Sequence, residues 1–226
     1  SVDSIFQEKS LASPFQNIPY LKFYDESSLD KYGCVEKYDL SSPQLDHLDT
    51  VDFASLGAAL ALLLWFGVGD LHIDNLYLSN KDGNFQILPF DIEAIFNNYT
   101  LPSQACLINS TDTKHGHIAL KVIGAYMSEN NTHFEKSVLP FLSSYIRTLG
   151  VLDENRKSIM QALLSIPFAE VSPIRVILRR TSDYRNAIKN PEASQIQFLT
   201  CENVQIQNKD IPYFFRYLLD GEIHFF

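Results

Sequence analysis

Apolar residues recur along this chain with two different periods, and the change between them marks out its elements. Phe6, Leu11 and Phe15 stand at roughly helical spacing, which predicts a helix within residues 1–18 followed by a loop. Ile18 to Tyr24 and Cys34 to Tyr38 read as two strands, with a Lys31-Tyr32-Gly33 turn before the second. From about Val51 to Phe66 the chain is nearly all apolar and predicts a buried helix, capped by Thr50 or Asp52 and ended by Gly67 and Gly69. A hairpin of Leu76–Leu78 with Phe85–Phe90 follows, turning at Lys81-Asp82-Gly83-Asn84. Beyond Glu93 the pattern becomes mostly helical, over Ile118–Met127, His133–Leu149 and Glu154–Leu164, with a polar, loop-like stretch over Asn97–Lys114. Val171–Ile188 is predicted to be a further helix with a basic face of Arg175, Arg179, Arg180 and Arg185. No repeat, low-complexity tract or linker interrupts this order. The expected fold class is α+β and predominantly α-helical, in a single domain over residues 1–226.

Composition narrows the field. A chain of 226 residues with 46% hydrophobic and 12% aromatic side chains can bury a sizeable core. Its net charge of −9, from 18 Lys and Arg against 27 Asp and Glu, argues against a nucleic-acid partner. The stretch from Phe53 to Gly69 lies at the short limit for a membrane span, and its three glycines favour a core helix, so no membrane partner is expected. Cys34, Cys106 and Cys201 are far apart and form no Cys-x-x-Cys pair, which fits a reducing, cytoplasmic setting. His115-Gly-His117 could bind a metal, but no third ligand stands at suitable spacing.

Candidate chemistry concentrates in Asp70-Leu-His72-Ile-Asp-Asn75, followed sixteen residues later by Asp91-Ile-Glu93. Phosphoryl transfer of the kinase kind needs such a set: an acid to orient or deprotonate the attacking hydroxyl, and an amide and a carboxylate to hold Mg²⁺ on the nucleotide phosphates. The Asp-to-Asn spacing of five is that of the kinase catalytic loop, and Asp91 stands where a second metal-binding Asp is expected. Turn-forming Asp and Asn and a hydrogen-bonded core His would give the same letters without chemistry. A second constellation, Arg175-Val-Ile-Leu-Arg179-Arg180-Thr181-Ser-Asp-Tyr184, gathers cations on an otherwise acidic chain. It reads either as a solvated helix face whose arginines pair with nearby acids, or as a phosphate site.

Taken in order, Tyr32-Gly33-Cys-Val-Glu36, Gly69-Asp70-Leu-His72-x-x-Asn75, Asp91-Ile-Glu93-Ala-Ile-Phe96, Arg175-x-x-x-Arg179-x-Thr181-x-x-Tyr184 and Asp210-Ile-Pro-Tyr-Phe214 resemble the dehydratase domain of class II lanthipeptide synthetases nearly end to end. The resemblance implies a lipid-kinase-like C-lobe with a small β-hairpin at the catalytic loop. It implies ATP- and Mg²⁺-dependent phosphorylation of Ser and Thr in a precursor peptide carrying a leader, followed by elimination of phosphate. Asp70 and His72 would serve phosphorylation, Asn75 and Asp91 would bind Mg²⁺ with Glu93 assisting, and Arg175 and Thr181 would serve elimination. Asp70, Asn75, Asp91 and Arg175 are then expected to converge on one pocket.

The sequence departs from that family pattern in places. Asp74 stands where Glu is usual before the loop Asn, and Cys34 stands where an aromatic residue is common. Ser1-Val-Asp-x-x-Phe6 resembles the stretch just after the family's Lys-Pro-Arg segment, so the N-lobe with its nucleotide-contacting Lys, and the cyclase domain, are expected to be missing. On that reading the chain is a partial dehydratase, inactive or nearly so alone. Two alternatives use the same residues: a kinase-like phosphotransferase without elimination, and a catalytically dead peptide-binding module.

Overall fold

A computed structural model describes residues 2–9, 23–24, 34–35, 52–69, 71, 75–81, 84–89, 92, 94–97, 134–167 and 169–225. These divide into two units, one formed by Ser1–Ile92 with Phe96–Ala162, the other by Glu93–Ile95 with Leu163–Phe226. The described residues are mostly helical with small antiparallel sheets, in keeping with the expected α+β class. Among them no helix is long and apolar enough to cross a membrane. The predicted helix over Ile118–Met127 and the His115-Gly-His117 pair lie outside the described residues.

The first unit opens with α1 (Val2–Glu8), followed by strands β1 (Phe23–Tyr24) and β2 (Cys34–Val35), which pair antiparallel. Its centre is α2 (Phe53–Trp65), whose Leu56–Leu63 stretch is buried on every side. Both ends of α2 are set by side-chain chemistry that the sequence announces. Asp52 Oδ1 accepts hydrogen bonds from Ala54 N at 3.1 Å and Ser55 N at 3.2 Å, satisfying two of the free amides at the helix start. At the other end Gly67 adopts φ +58°, with Gly67 N donating to Leu64 O and Val68 N to Leu63 O, both at 2.9 Å. This is a Schellman stop, and glycine suits it because the left-handed conformation crowds a Cβ.

The hairpin comprises β3 (Leu76–Lys81) and β4 (Asn84–Pro89), in register from Leu76↔Pro89 to Lys81↔Asn84. The strands are longer than the alternation alone predicts, because pairing continues as far as Lys81↔Asn84. A π-helical turn over Phe134–Val138 leads into α3 (Leu139–Glu154), and α4 (Arg156–Leu164) follows. The pattern ends the first of these helices at Leu149, but α3 runs on through Gly150 to Glu154. Val151 and Leu152 are buried just beyond Gly150, and that burial outweighs a mid-helix glycine, which costs about 1 kcal/mol. Asn155 makes the stop instead, donating from Nδ2 to Val151 O at 2.8 Å. Lys9 pairs with Glu154 and ties the segment after α1 to the end of α3.

In the second unit the predicted helix over Val171–Ile188 is replaced by two elements. Residues Ile174–Val176 form strand β5, an irregular link with a bend at Arg179 covers 177–180, and α5 begins only at Thr181 and runs to Lys189. Pro173 and the β-branched Ile174, Val176 and Ile177 favour extended backbone, while Thr181-Ser-Asp183 carries the residues that open helices. The arginines therefore share no single helix face: Arg175 lies on β5, Arg179 in the link and Arg185 in α5. A short 3₁₀ turn (Pro191–Ala193) leads to α6 (Thr200–Gln207). Strands β6 (Phe214–Arg216) and β7 (His224–Phe225) complete an antiparallel sheet of order β5-β6-β7. Its register sets Arg175, Phe215 and His224 in one row across the three strands.

Candidate functional site

Around the first constellation the structure describes the flanks. Asp70, His72, Asp91 and Glu93 lie outside the described residues, whereas Asn75 is a half-buried turn residue immediately before β3. The two motif segments connect the same two anchored places. At one, Leu76 pairs with Pro89 at the open end of the hairpin. At the other, the end of α2 is bonded to residues just past the Asp91-Ile-Glu93 motif: Phe96 N donates to Phe66 O at 2.6 Å, Asn97 N to Gly67 O at 3.1 Å, and Asn97 Nδ2 to the same oxygen at 2.9 Å. Phe66 and Phe96 also meet edge to face with ring centroids 6.1 Å apart. Gly67 permits this approach, since a Cβ there would lie 2.1 Å from Asn97 O. Leu71, inside the first segment, is fully buried, and Ile92, inside the second, is 46% exposed. Among the described residues no group of three or more His, Cys, Asp or Glu is gathered as a metal site.

The second constellation is described in full and belongs to the second unit. Arg175 lies on β5 with its guanidinium 5.4 Å over the Tyr213 ring, a cation–π arrangement. Tyr213, in the Asp210-Ile-Pro-Tyr-Phe214 segment, donates its backbone N–H to Gln205 Oε1 at 3.2 Å. Thr181 is half-buried and opens α5. Arg179 is engaged elsewhere. Its Nε donates to Glu202 Oε1 at 2.8 Å and its Nη2 to Glu202 Oε2 at 3.3 Å and to Gln197 O at 3.0 Å. For Arg179, pairing with an acid is therefore the correct alternative of the two the sequence leaves open.

Glu202 is the residue that sequence reasoning misses. Its side chain is fully buried on α6, and besides Arg179 it accepts from Tyr184 Oη at 2.6 Å and from Leu199 N at 2.6 Å. Burial alone would push the Glu202 carboxyl upward, but the bonds from Arg179, Tyr184 and Leu199 outweigh it and hold the group below its ordinary range. Burial, then the bond to Glu202, raises the Tyr184 phenol, which stays protonated and donates. Phe198 closes the cluster, with the Arg179 guanidinium 5.4 Å over its ring and the Tyr184 ring 5.8 Å away. The one local signal was an acid at the third position of α6, where it can reach back to the Leu199 amide. Nothing local pointed to Arg179, twenty-three residues earlier.

On the same sheet His224 Nε2 lies 2.5 Å from Asp220 Oδ2 and its ring stacks on Phe215 at 5.4 Å. The bond to His224 foremost, then the Glu222 amide, holds the Asp220 carboxyl below its ordinary value. A scan against family models finds no match to the chain, and neither do comparisons with curated proteins and with solved structures.

Proposed function

We propose that this chain carries out, or contributes its C-lobe-like part to, ATP- and Mg²⁺-dependent dehydration of Ser and Thr in a precursor peptide of lanthipeptide biosynthesis. The observation that carries the reading is the double anchoring in the first unit. The segment holding Asp70, His72 and Asn75 and the segment holding Asp91 and Glu93 start and finish at shared, hydrogen-bonded ends. A phosphoryl-transfer site on a lipid-kinase-like C-lobe needs such a framework, with a loop and a metal-binding strand end kept side by side. The ordered motifs through Asp210-Ile-Pro-Tyr-Phe214 add the specific family.

In this reading Asp70 takes the proton of the Ser or Thr hydroxyl as its oxygen bonds to the γ-phosphorus and the bond from γ-phosphorus to the β,γ-bridging oxygen breaks to release ADP, with His72 positioning the reacting groups. MgATP supplies the transferable phosphoryl group and the charge neutralisation. Asn75 and Asp91, with Glu93 assisting, offer the hard oxygen donors that Mg²⁺ prefers. In the second step a base takes the Cα proton, the C–H electron pair forms the Cα=Cβ bond, and the Cβ–O bond of the phosphoester breaks as phosphate departs. Arg175, a fixed cation on β5, and Thr181, a hydroxyl donor, stabilise the charge on that leaving group. Arg179 is engaged by Glu202, and the family resemblance gives this duty to Arg175 and Thr181. Such a reaction on an intracellular peptide suits a cytoplasmic protein, with the leader peptide, an N-lobe and a cyclase domain as partners.

Product masses test the reading. The chain, joined to the N-lobe and cyclase domain of a class II lanthipeptide synthetase in place of that enzyme's matching segment, is incubated with ATP, Mg²⁺ and that enzyme's leader-bearing precursor peptide. Net loss of water is expected, and Arg175→Ala should accumulate phosphopeptide instead. Phosphopeptide from both the native chain and Arg175→Ala would assign a phosphotransferase without elimination, and peptides unchanged in mass would overturn the reading.

A further inference from the structure

The buried face of α6 is polar. Its two buried residues are Glu202 and Gln205, one turn apart: Glu202 holds the Arg175–Thr181 stretch itself and Gln205 holds Tyr213 beside it. Glu202 binds Arg179 in the link and Tyr184 one turn into α5. Gln205 binds the backbone of Tyr213, whose ring lies under the Arg175 guanidinium. A helix that buries a carboxylate and a carboxamide gains little from the hydrophobic effect, so its contribution lies in geometry. Within the link Ile177 and Leu178 are 42% and 40% exposed, and regular helix bonding begins only beyond Arg180.

We propose that Glu202 is a positioning residue: by clamping Arg179 and Tyr184 it fixes where α5 begins relative to β5, and so sets the separation of Arg175 and Thr181 around a phosphate group. The proposal rests on the phosphate role of Arg175 and Thr181 given above. A bidentate guanidinium–carboxylate pair suits this duty because it fixes direction as well as distance. Arg179 lies four residues after Arg175 and two before Thr181, so a shift of this tie moves one relative to the other.

Charge and positioning predict opposite signs here. Glu202→Gln removes a negative charge from a region proposed to bind an anion, so on charge alone it would tighten phosphate binding. As a positioning residue its loss should weaken binding. The test titrates the full chain, labelled with ¹⁵N in arginine and threonine, with inorganic phosphate. The expected result is saturable movement of the Arg175 Nε–H and Thr181 amide signals, loss of binding in Arg175→Ala, and weakening by about tenfold in Glu202→Gln. Arg179→Lys keeps the charge at a partly exposed position but loses the fork, and should weaken binding in the same direction; it decides the matter if Glu202→Gln does not fold. Binding weakened by Arg175→Ala but equal or tighter in Glu202→Gln and Arg179→Lys would overturn the positioning role and leave the phosphate site standing. Phosphate that moves neither signal in the native chain would overturn both.

Discussion

Gly57 of α2 faces the main chain of Phe141 in α3 so closely that a Cβ built on it would lie 2.3 Å from the Phe141 carbonyl oxygen. That oxygen belongs to the backbone and cannot rotate aside. The expectation for Gly57→Ala is therefore destabilisation: overpacking costs about 1–3 kcal/mol, and only part is offset by better helix propensity. Gly150 in α3 makes the matched control, since nothing lies within 4 Å of its Cβ position. Gly150→Ala should stabilise by about 0.5–1 kcal/mol. Urea midpoints of the two variants should move in opposite directions, and a Gly57→Ala midpoint at or above the native one would refute the close approach.

Lys209 follows α6 with φ +64°, donating to Ile206 O at 2.9 Å, while Asp210 N donates to Gln205 O at 2.9 Å. The motif matches the one at Gly67 but has a side chain at the left-handed position. Relief of that conformation should let Lys209→Gly gain about 0.5–1 kcal/mol despite glycine's greater chain entropy. Thermal denaturation measures it, and a loss of stability would show that the Lys209 side chain contributes more than its backbone strain costs.

Acid should probe the Glu202 cluster. A carboxylate held below its ordinary value of 4.5 contributes stability that is fully present above that value and lost as pH falls through the lowered one. Asp220 acts with the same sign, so the Glu202 share is read by difference. In Glu202→Gln the fall of the urea midpoint below about pH 4.5 should be shallower than in the native chain. Parallel acid limbs in the two proteins would deny Glu202 its pairing with Arg179 and Tyr184.

Local chemistry made α2 and the hairpin of the first unit legible. Asp52 before an apolar run and Gly67 after it define α2, and Asp82-Gly83 between alternating residues defines the hairpin, because each signal acts on its own few neighbours. The second unit reads less well for a related reason. Arg175 and Arg179 stand four apart, as on one helix face, but Pro173 and the run of β-branched residues decide the backbone in favour of β5. Glu202 escaped notice because its partners come from the link and from α5, a pairing with no periodicity to betray it. Asn75 belongs to the first unit and Arg175 to the second, and it is the family resemblance that joins them in one expected site.

The most direct test of the proposed chemistry is the melting temperature of the chain with and without excess MgATP, alongside Asn75→Ala/Asp91→Ala. Ligand at about 100 times its Kd adds roughly 2.7 kcal/mol, which moves Tm by several degrees in a chain of this length. The account predicts that the native chain gains this shift and that the double variant, still melting cooperatively, does not. An equal shift in both proteins, or none in either, would contradict a metal–nucleotide site built from Asn75 and Asp91.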